Sequence, residues 1–445
     1  MGQEERAVGF HRFGPRGLLL RHHHMALRSG ISKLKQGAPK RLWAHIAIFF
    51  AVLGPGVITA NVDNDAGGIA TYSIAGAHFG YGFLWIVAPV IVALVVVQEM
   101  SARMGAVTGK GLADLIREKY GAKVTFYVMV ALLLTNLGNT MTEFSGIAAS
   151  LEIFGLSKYV TVPLSAAFVW LLVVKGTYKV VEKVFLVACL FYISYVVSGF
   201  LAGPDWGEVG ASMLMPKLEM NAPYLYLLVG IIGTTIAPWQ LFFMQASIVE
   251  KGVDREQISH ARWDSVIGCA MAGLVVFFIM VACAATIFPA GGRVETAADA
   301  ALALAPLAGK YCSWLFAFGL FNASIFAATV LPLSVAYYVC EGLGFEAGVN
   351  KSFREAPHFY GLFTATILIG MGIVLIPDFP FFKMMVFSQV VNGVVLPFLH
   401  IFMIMLINRR DLMGEHANGR IWNAVSWTTV VSVIALSLGI LFTYF

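Results

Sequence analysis

Charge is what this 445-residue sequence has least of. Asp, Glu, Lys and Arg make up 12% of it, against 59% hydrophobic residues, whereas a soluble domain carries about 25% charged residues. That scarcity excludes a soluble globular protein and leaves a polytopic, all-α integral membrane protein. No polar stretch after residue 42 is long enough to build a separate soluble core. Cysteine is also scarce. Cys189, Cys269, Cys283, Cys312 and Cys340 sit in or beside apolar segments without CxxC spacing, so they read as small buried hydrophobes, not as disulfides or zinc ligands. The chain lacks a nucleophile–base set, a phosphate loop and a metal-hydrolase spacing, which argues against an enzyme. Nothing in it calls for a cofactor, a nucleic acid or an obligate protein partner.

Where charge does occur, it is placed unevenly. The first 41 residues hold nine Lys and Arg, from Arg6 to Arg41, and only Glu4 and Glu5 oppose them. Leu18-Leu19-Leu20 is too short for a signal-peptide core, so residues 1–42 read as a disordered cytoplasmic tail. His22-His23-His24 leaves open a metal-binding tract or a stretch upstream of an alternative start.

Apolar runs of spanning length number eleven: 43–78, 83–104, 124–153, 158–175, 183–202, 223–250, 262–289, 311–342, 358–376, 380–407 and 422–444. Residues 111–121 between the second and third form an amphipathic segment suited to the interface. With the N-terminus inside, the cytoplasmic loops collect Arg103, Lys110, Lys179, Arg255, Arg354 and Arg409 among others. The opposite loops hold few cations, such as Lys217 and Arg293, beside Asp205, Glu208 and Glu219. The positive-inside rule then sets the N-terminus in the cytoplasm and, after eleven spans, the C-terminus outside. The lipid bilayer is the surrounding partner.

Only the first and sixth spans are broken at membrane depth. In the first, Asp63 and Asp65 fall near mid-membrane and Gly67-Gly68 weaken the helix there. In the sixth, Pro238 within Thr234-Thr235-Ile236-Ala237-Pro238-Trp239-Gln240 removes a backbone donor. Two breaks five spans apart, one opening each half, predict a 5+5 inverted repeat of residues 43–202 and 223–407 followed by an eleventh span at 422–444. Its binding site falls at the midplane, with freed carbonyls and a carboxylate turned toward a cation.

Beyond these breaks the sequence resembles the Nramp family of divalent metal transporters. Gly54-Pro55-Gly56, Asp65-Ala66-Gly67, Ile69-Ala70-Thr71 and Ala75-Gly76-Ala77 fit its first helix. Ser101 to Gly105 with Thr108-Gly109-Lys110 resembles the loop after its second helix, and Ser388-Gln389-Val390 with Leu396-Pro397-Phe398 its tenth. The resemblance covers nearly the whole chain after the tail and implies a LeuT-type fold with helices 1 and 6 discontinuous.

The departures carry the specificity reading. The family's Asp-Pro-Gly-Asn stands here as Asp65-Ala66-Gly67-Gly68, and its Met-Pro-His-Asn as Ala237-Pro238-Trp239-Gln240. The soft thioether that suits manganese, iron and other transition metals is gone. What remains is hard oxygen chemistry in a roomier cavity: Asp65, the space at Gly68, carbonyls near Thr234 and Ala237, and the amides of Gln240 and Gln389. Mg²⁺ prefers oxygen and keeps several waters, and the set resembles the Nramp-related magnesium transporters of the bacterial inner membrane. A largely hydrated Mg²⁺ is therefore expected as substrate, with Mn²⁺ second. The family's third-helix Asp is Thr140 here while its Glu is kept as Glu143, and its sixth-helix His is Trp239. With two of three titratable positions gone, transport is expected without obligatory proton coupling. A divalent ion gains about 4.6 kcal/mol per 100 mV on entering.

Several roles stay open on sequence alone. Asp63 either lines the pathway or bonds locally. Gln240 and Gln389 are ligands or interhelical hydrogen-bonding groups. Ala237 acts through its carbonyl or merely packs, Glu143 is a structural acid or part of a pathway, and Trp239 is a lid or a wall. The competing functions are a proton-coupled Mn²⁺/Fe²⁺ transporter of the ordinary family type, an organic-substrate symporter of the same fold, and a gated Mg²⁺ channel.

Overall fold

A computed structural model describes residues 54–175 and 192–444, and every element among them is helical. The tail 1–42 with its histidines, the start of the first span, and Lys179, Glu182, Lys183 and Cys189 lie outside the described residues.

The first span is two helices, α1 (Pro55–Asn61) and α2 (Ala66–Phe79). Then come α3 (Leu84–Thr108), α4 (Leu112–Glu152), α5 (Lys158–Lys175) and α6 (Ile193–Leu201), the described part of the fifth span. A short helix, α7 (Trp206–Leu214), precedes the sixth span, which is again two helices, α8 (Ala222–Thr235) and α9 (Pro238–Lys251). The remaining spans are α10 (Ile258–Thr286), α11 (Cys312–Leu343), α12 (Pro357–Val374), α13 (Phe381–Ile407) and α14 (Arg420–Tyr444).

Nine helical segments among the described residues are long and apolar enough to cross a membrane. They account for spans two to four and six to eleven, the first of them also taking in α2, and apart from the early start of α4 the spanning helices themselves end within a few residues of the bounds expected from hydropathy. The amphipathic stretch after α3 is the first part of α4. Leu112, Ala113, Leu115 and Ile116 are buried there, and the chain turns at Gly121 (φ 81°, ψ 169°) into the span itself. Not foreseen was α7, whose N-cap Asp205 accepts from Gly207 N and Glu208 N at 2.8 and 3.1 Å. It is too short to cross a bilayer.

The broken spans lie at the centre of the bundle. α1 packs chiefly on α10, α2 on α10 and α13, α8 on α13, and α9 on α3 and α11, while α4 backs the site against α11 and α13. Proline starts α1 and α9 at N1/N2, where its missing N–H has no helical partner to lose. The prolines inside spans, Pro89, Pro163, Pro332 and Pro397, are tolerated because neighbouring helices shield the freed carbonyls.

Candidate metal site

The first break is a single 3-10 turn, Val62–Asn64, after which Asp65 becomes extended (φ −72°, ψ −177°) and caps α2. Its Oδ1 accepts from Gly68 N at 2.6 Å. An Asp cap contributes about 1 kcal/mol, and it lets the helix restart immediately. The break thus lies earlier than Asp65–Gly68, where the sequence placed it, and the glycine pair forms the first turn of α2. A Cβ on Gly68 would run into the Asp63 carbonyl and lie 3.2 Å from Thr234 Oγ1. The roomier cavity expected at Gly68 is therefore filled by backbone in this conformation.

The second break is shorter. α8 ends at Thr235, and Ile236 and Ala237 (ψ 70° and 142°) lead into Pro238 at the start of α9. Pro238 has no N–H to offer the Thr234 carbonyl. The Ala237 carbonyl, by contrast, already accepts from Gln240 N at 3.1 Å, which leaves it one lone pair for an ion. A hydroxyl pair, Tyr72 Oη and Thr235 Oγ1 at 2.8 Å, links α2 to α8.

The two breaks meet side chain to side chain: Gln240 Nε2 donates to Asp63 Oδ1. This leaves Asp63 Oδ2, Gln240 Oε1 and Thr234 Oγ1 buried without hydrogen-bond partners. Glu143 reaches in from α4, its Oε2 accepting from Ala66 N at 3.3 Å, and its carboxyl lies against that of Asp65. From α13 the Gln389 amide covers Gly67, where an added Cβ would collide with Nε2. Oxygen is the main donor type, and the charged groups acting on Asp63 and Glu143 are other carboxylates. None of the side chains named here is more than 5% exposed, so the site is occluded. Among the described residues no three Asp, Glu, His or Cys side chains are gathered at ligand distance. A cation here would take one or two carboxylates and complete its shell with neutral oxygens and water, the mode Mg²⁺ favours.

One expected pathway residue, Thr140, is turned away from the site. Thr140 bonds back to the Asn136 carbonyl at 2.8 Å, and its methyl faces Gly370 of α12. Trp239, in the first turn of α9 beside Gln240, is buried and packs on Phe243 at 5.9 Å between ring centroids. Sequence reasoning missed Asn64, buried beside Asp65 with both amide atoms unpartnered. It also missed an amide chain behind Gln389. Asn392 Nδ2 lies 2.9 Å from both Gln389 Oε1 and Asn139 Oδ1, and Asn136 Nδ2 donates to Ser334 Oγ at 2.7 Å. The signal was available: Asn136, Asn139 and Glu143 repeat at helical spacing on one face of an apolar helix.

Gly67→Ala tests this packing. The new methyl displaces the Gln389 amide at an overpacking cost of about 1–3 kcal/mol. The expected result is a lower thermal midpoint in detergent together with reduced metal uptake. Unchanged uptake would mean that Gln389 does not need to sit over the first turn of α2.

An open cavity of about 460 Å³ is lined by Ala149 and Glu152 of α4, Glu295 and Thr296, and Phe381 and Lys383 of α13. It opens beside the helices that carry Glu143 and Gln389. Phe381 precedes Gln389 by eight residues, or about 12 Å of helix.

Residues 56–443 match the family described as natural resistance-associated macrophage protein-like, Nramp. Among curated relatives, the divalent metal cation transporter MntH of Deinococcus radiodurans is 26% identical over 430 residues, covering 93% of this chain and 94% of that one. Among solved structures, the Eremococcus coleocola manganese transporter superposes with a TM-score of 0.72 at 21% identity, covering 88% of this chain and 86% of that one. Mhp1, a nucleobase-cation-symport transporter, gives a TM-score of 0.56 at 15% identity, covering 87% and 91%. These likenesses are of fold, and they agree with the paired broken spans of a LeuT-type inverted repeat. The family match spans most of the sequence, and the chain belongs to the Nramp family of divalent metal transporters, which are membrane carriers and not enzymes.

Proposed function

We propose that this carrier moves Mg²⁺, and Mn²⁺ second, by alternating access and without obligatory proton coupling. The observation that carries the reading is the donor set at the meeting of the two breaks. Asp65, Asp63 Oδ2, Gln240 Oε1 and Thr234 Oγ1 are oxygens, while the family's Met and His positions are Ala237 and Trp239. Hard oxygens and a carboxylate pair suit an ion that keeps part of its water, and nothing there supplies the softness a transition metal rewards. Gly68 serves by giving its N–H to Asp65, Ala237 through the second lone pair of its carbonyl, and Gln389 through its amide, oriented by Asn392. The halves of the repeat are 43–202 and 223–407. The N-terminus lies in the cytoplasm and the C-terminus outside, in the plasma membrane of a bacterium. The cavity at Glu152 and Glu295 is the approach for the cation.

Uptake into proteoliposomes under an inside-negative potential is the test. Mg²⁺ and Mn²⁺ should enter saturably while a pH dye trapped inside stays flat. Entry of Fe²⁺ or Cd²⁺ with neither entry nor competition by Mg²⁺ would overturn the hard-ion assignment. Metal-dependent acidification would overturn the uncoupled mechanism and favour the second reading, a proton-coupled Mn²⁺/Fe²⁺ transporter. That reading draws on one observation, the Glu143 carboxyl lying against Asp65.

A further inference from the structure

The half-helix leading into the site is held by a residue far from it in sequence. α1 has only seven residues, and its own N-cap, Gly54, has no side chain with which to cap it. A helix that short does not persist on propensity. Its exposed N–H groups converge instead on one carboxylate of α10. Asp264 Oδ1 accepts from Gly54 N at 3.1 Å and Val57 N at 3.3 Å, and Oδ2 accepts from Gly56 N at 2.6 Å. Asp264 is wholly buried.

Just beyond it the two helices touch backbone to backbone. A Cβ on Gly56 would lie 2.6 Å from Ser265 N, and one on Gly268 would lie 2.8 Å from Val57 Cα. At Gly56 and Gly268 the seam leaves no room for a side chain, so there α1 is either seated on α10 or parted from it. At its far end α1 runs into Val62–Asp65, the break that carries Asp63 and Asp65.

We infer that Asp264 is a positioning residue for transport, a trans-helix cap that holds α1 closed on α10 and so keeps the site shut past the Gly54 end. Opening on that side breaks three hydrogen bonds to a single carboxylate, and their number sets how often the open form is visited. The inference rests on the alternating-access reading above, but it concerns the resting equilibrium and is measured without metal.

Cys269 reports on the seam. It follows Gly268, is wholly buried, and lies on the side of Asp63. Cys312, at the start of α11 and also buried, serves as a control elsewhere in the fold. Variants keeping only Cys269 or only Cys312 are reconstituted and reacted with N-ethylmaleimide with and without Asp264→Ala or Asp264→Asn. Asn keeps one accepting oxygen and replaces the other with a donor, so it removes part of the cap with little change in shape. The expected result is Cys269 labelling faster by about tenfold or more in Asp264→Ala, as loss of several net hydrogen bonds implies. Asp264→Asn should give a smaller rise, with Cys312 unchanged in both. In uptake, the apparent KM for Mg²⁺ should shift while Vmax moves by a different factor.

Equal acceleration at Cys269 and Cys312 would show general loosening and overturn the assignment. So would unchanged Cys269 labelling in a monodisperse Asp264→Asn protein, because α1 and α10 would then move as one body. If the unsubstituted protein carries no Mg²⁺, the substrate proposal fails while the labelling contrast still decides the role of Asp264.

Discussion

Asp65→Asn is expected to leave the protein folded and remove its transport. Asn is as good an N-cap as Asp, so the acceptor for Gly68 N (2.6 Å to Oδ1) is retained and α2 keeps its start. What disappears is the negative charge of Asp65 itself, beside Glu143 and two residues from the Asp63 that joins the breaks. Loss of a direct carboxylate ligand should weaken Mg²⁺ binding by more than about a hundredfold, or roughly 2.8 kcal/mol at 1.4 kcal/mol per decade. Titration calorimetry of the purified protein and proteoliposome uptake both read this. Asp65→Ala should behave the same way in binding and also lower the thermal midpoint, since the cap is lost with the charge. Mg²⁺ binding retained in Asp65→Asn would remove the carboxylate from the centre of the site.

Ala237→Met is expected to exchange one selectivity for another. Ala237 is buried at the second break, directly before Pro238. A thioether there is flexible enough to bend toward the ion. It offers a soft ligand to Cd²⁺ while displacing water that Mg²⁺ gives up reluctantly. Cd²⁺ uptake should rise by about tenfold or more and Mg²⁺ uptake fall by a similar factor, changes of about 1.4 kcal/mol each. Competition assays on the same vesicles give the ratio directly. A folded variant with the Cd²⁺-to-Mg²⁺ ratio of the original protein would show that position 237 does not set ion softness.

Much of this arrangement could be read from the residues. Span bounds followed from apolar length because the bilayer demands it, and the two breaks were visible because Asp65 and Pro238 are expensive at membrane depth. The exact site of the first break was not. Gly67-Gly68 read as weak helix, yet the Asp65 cap restarts the helix at Ala66, and the glycines serve close packing, Gly67 under Gln389 and Gly68 against the Asp63 carbonyl. The link between Gln240 and Asp63 depends on tertiary register, which no local pattern carries. The same holds for Asp264, more than 200 residues from the amides it caps. Ala237 was assigned a free carbonyl from the missing proline donor, but that argument frees the carbonyl of Thr234. The first turn of α9 engages the one at 237. α7 left only a capping Asp and nine residues as its trace.

The cap on Asp65 bears on the half of the cycle in which nothing is carried. A carrier that moves a divalent ion without a second ion must come back empty, and a bare anion at mid-membrane would make that return the slow step. Here the unloaded carboxylate still has the amide of Gly68 and the start of α2 as a partner. On the proposed uncoupled mechanism this hydrogen bond offsets part of the cost of returning with Asp65 bare, and net flux is then expected beside exchange of one ion for another across the bilayer.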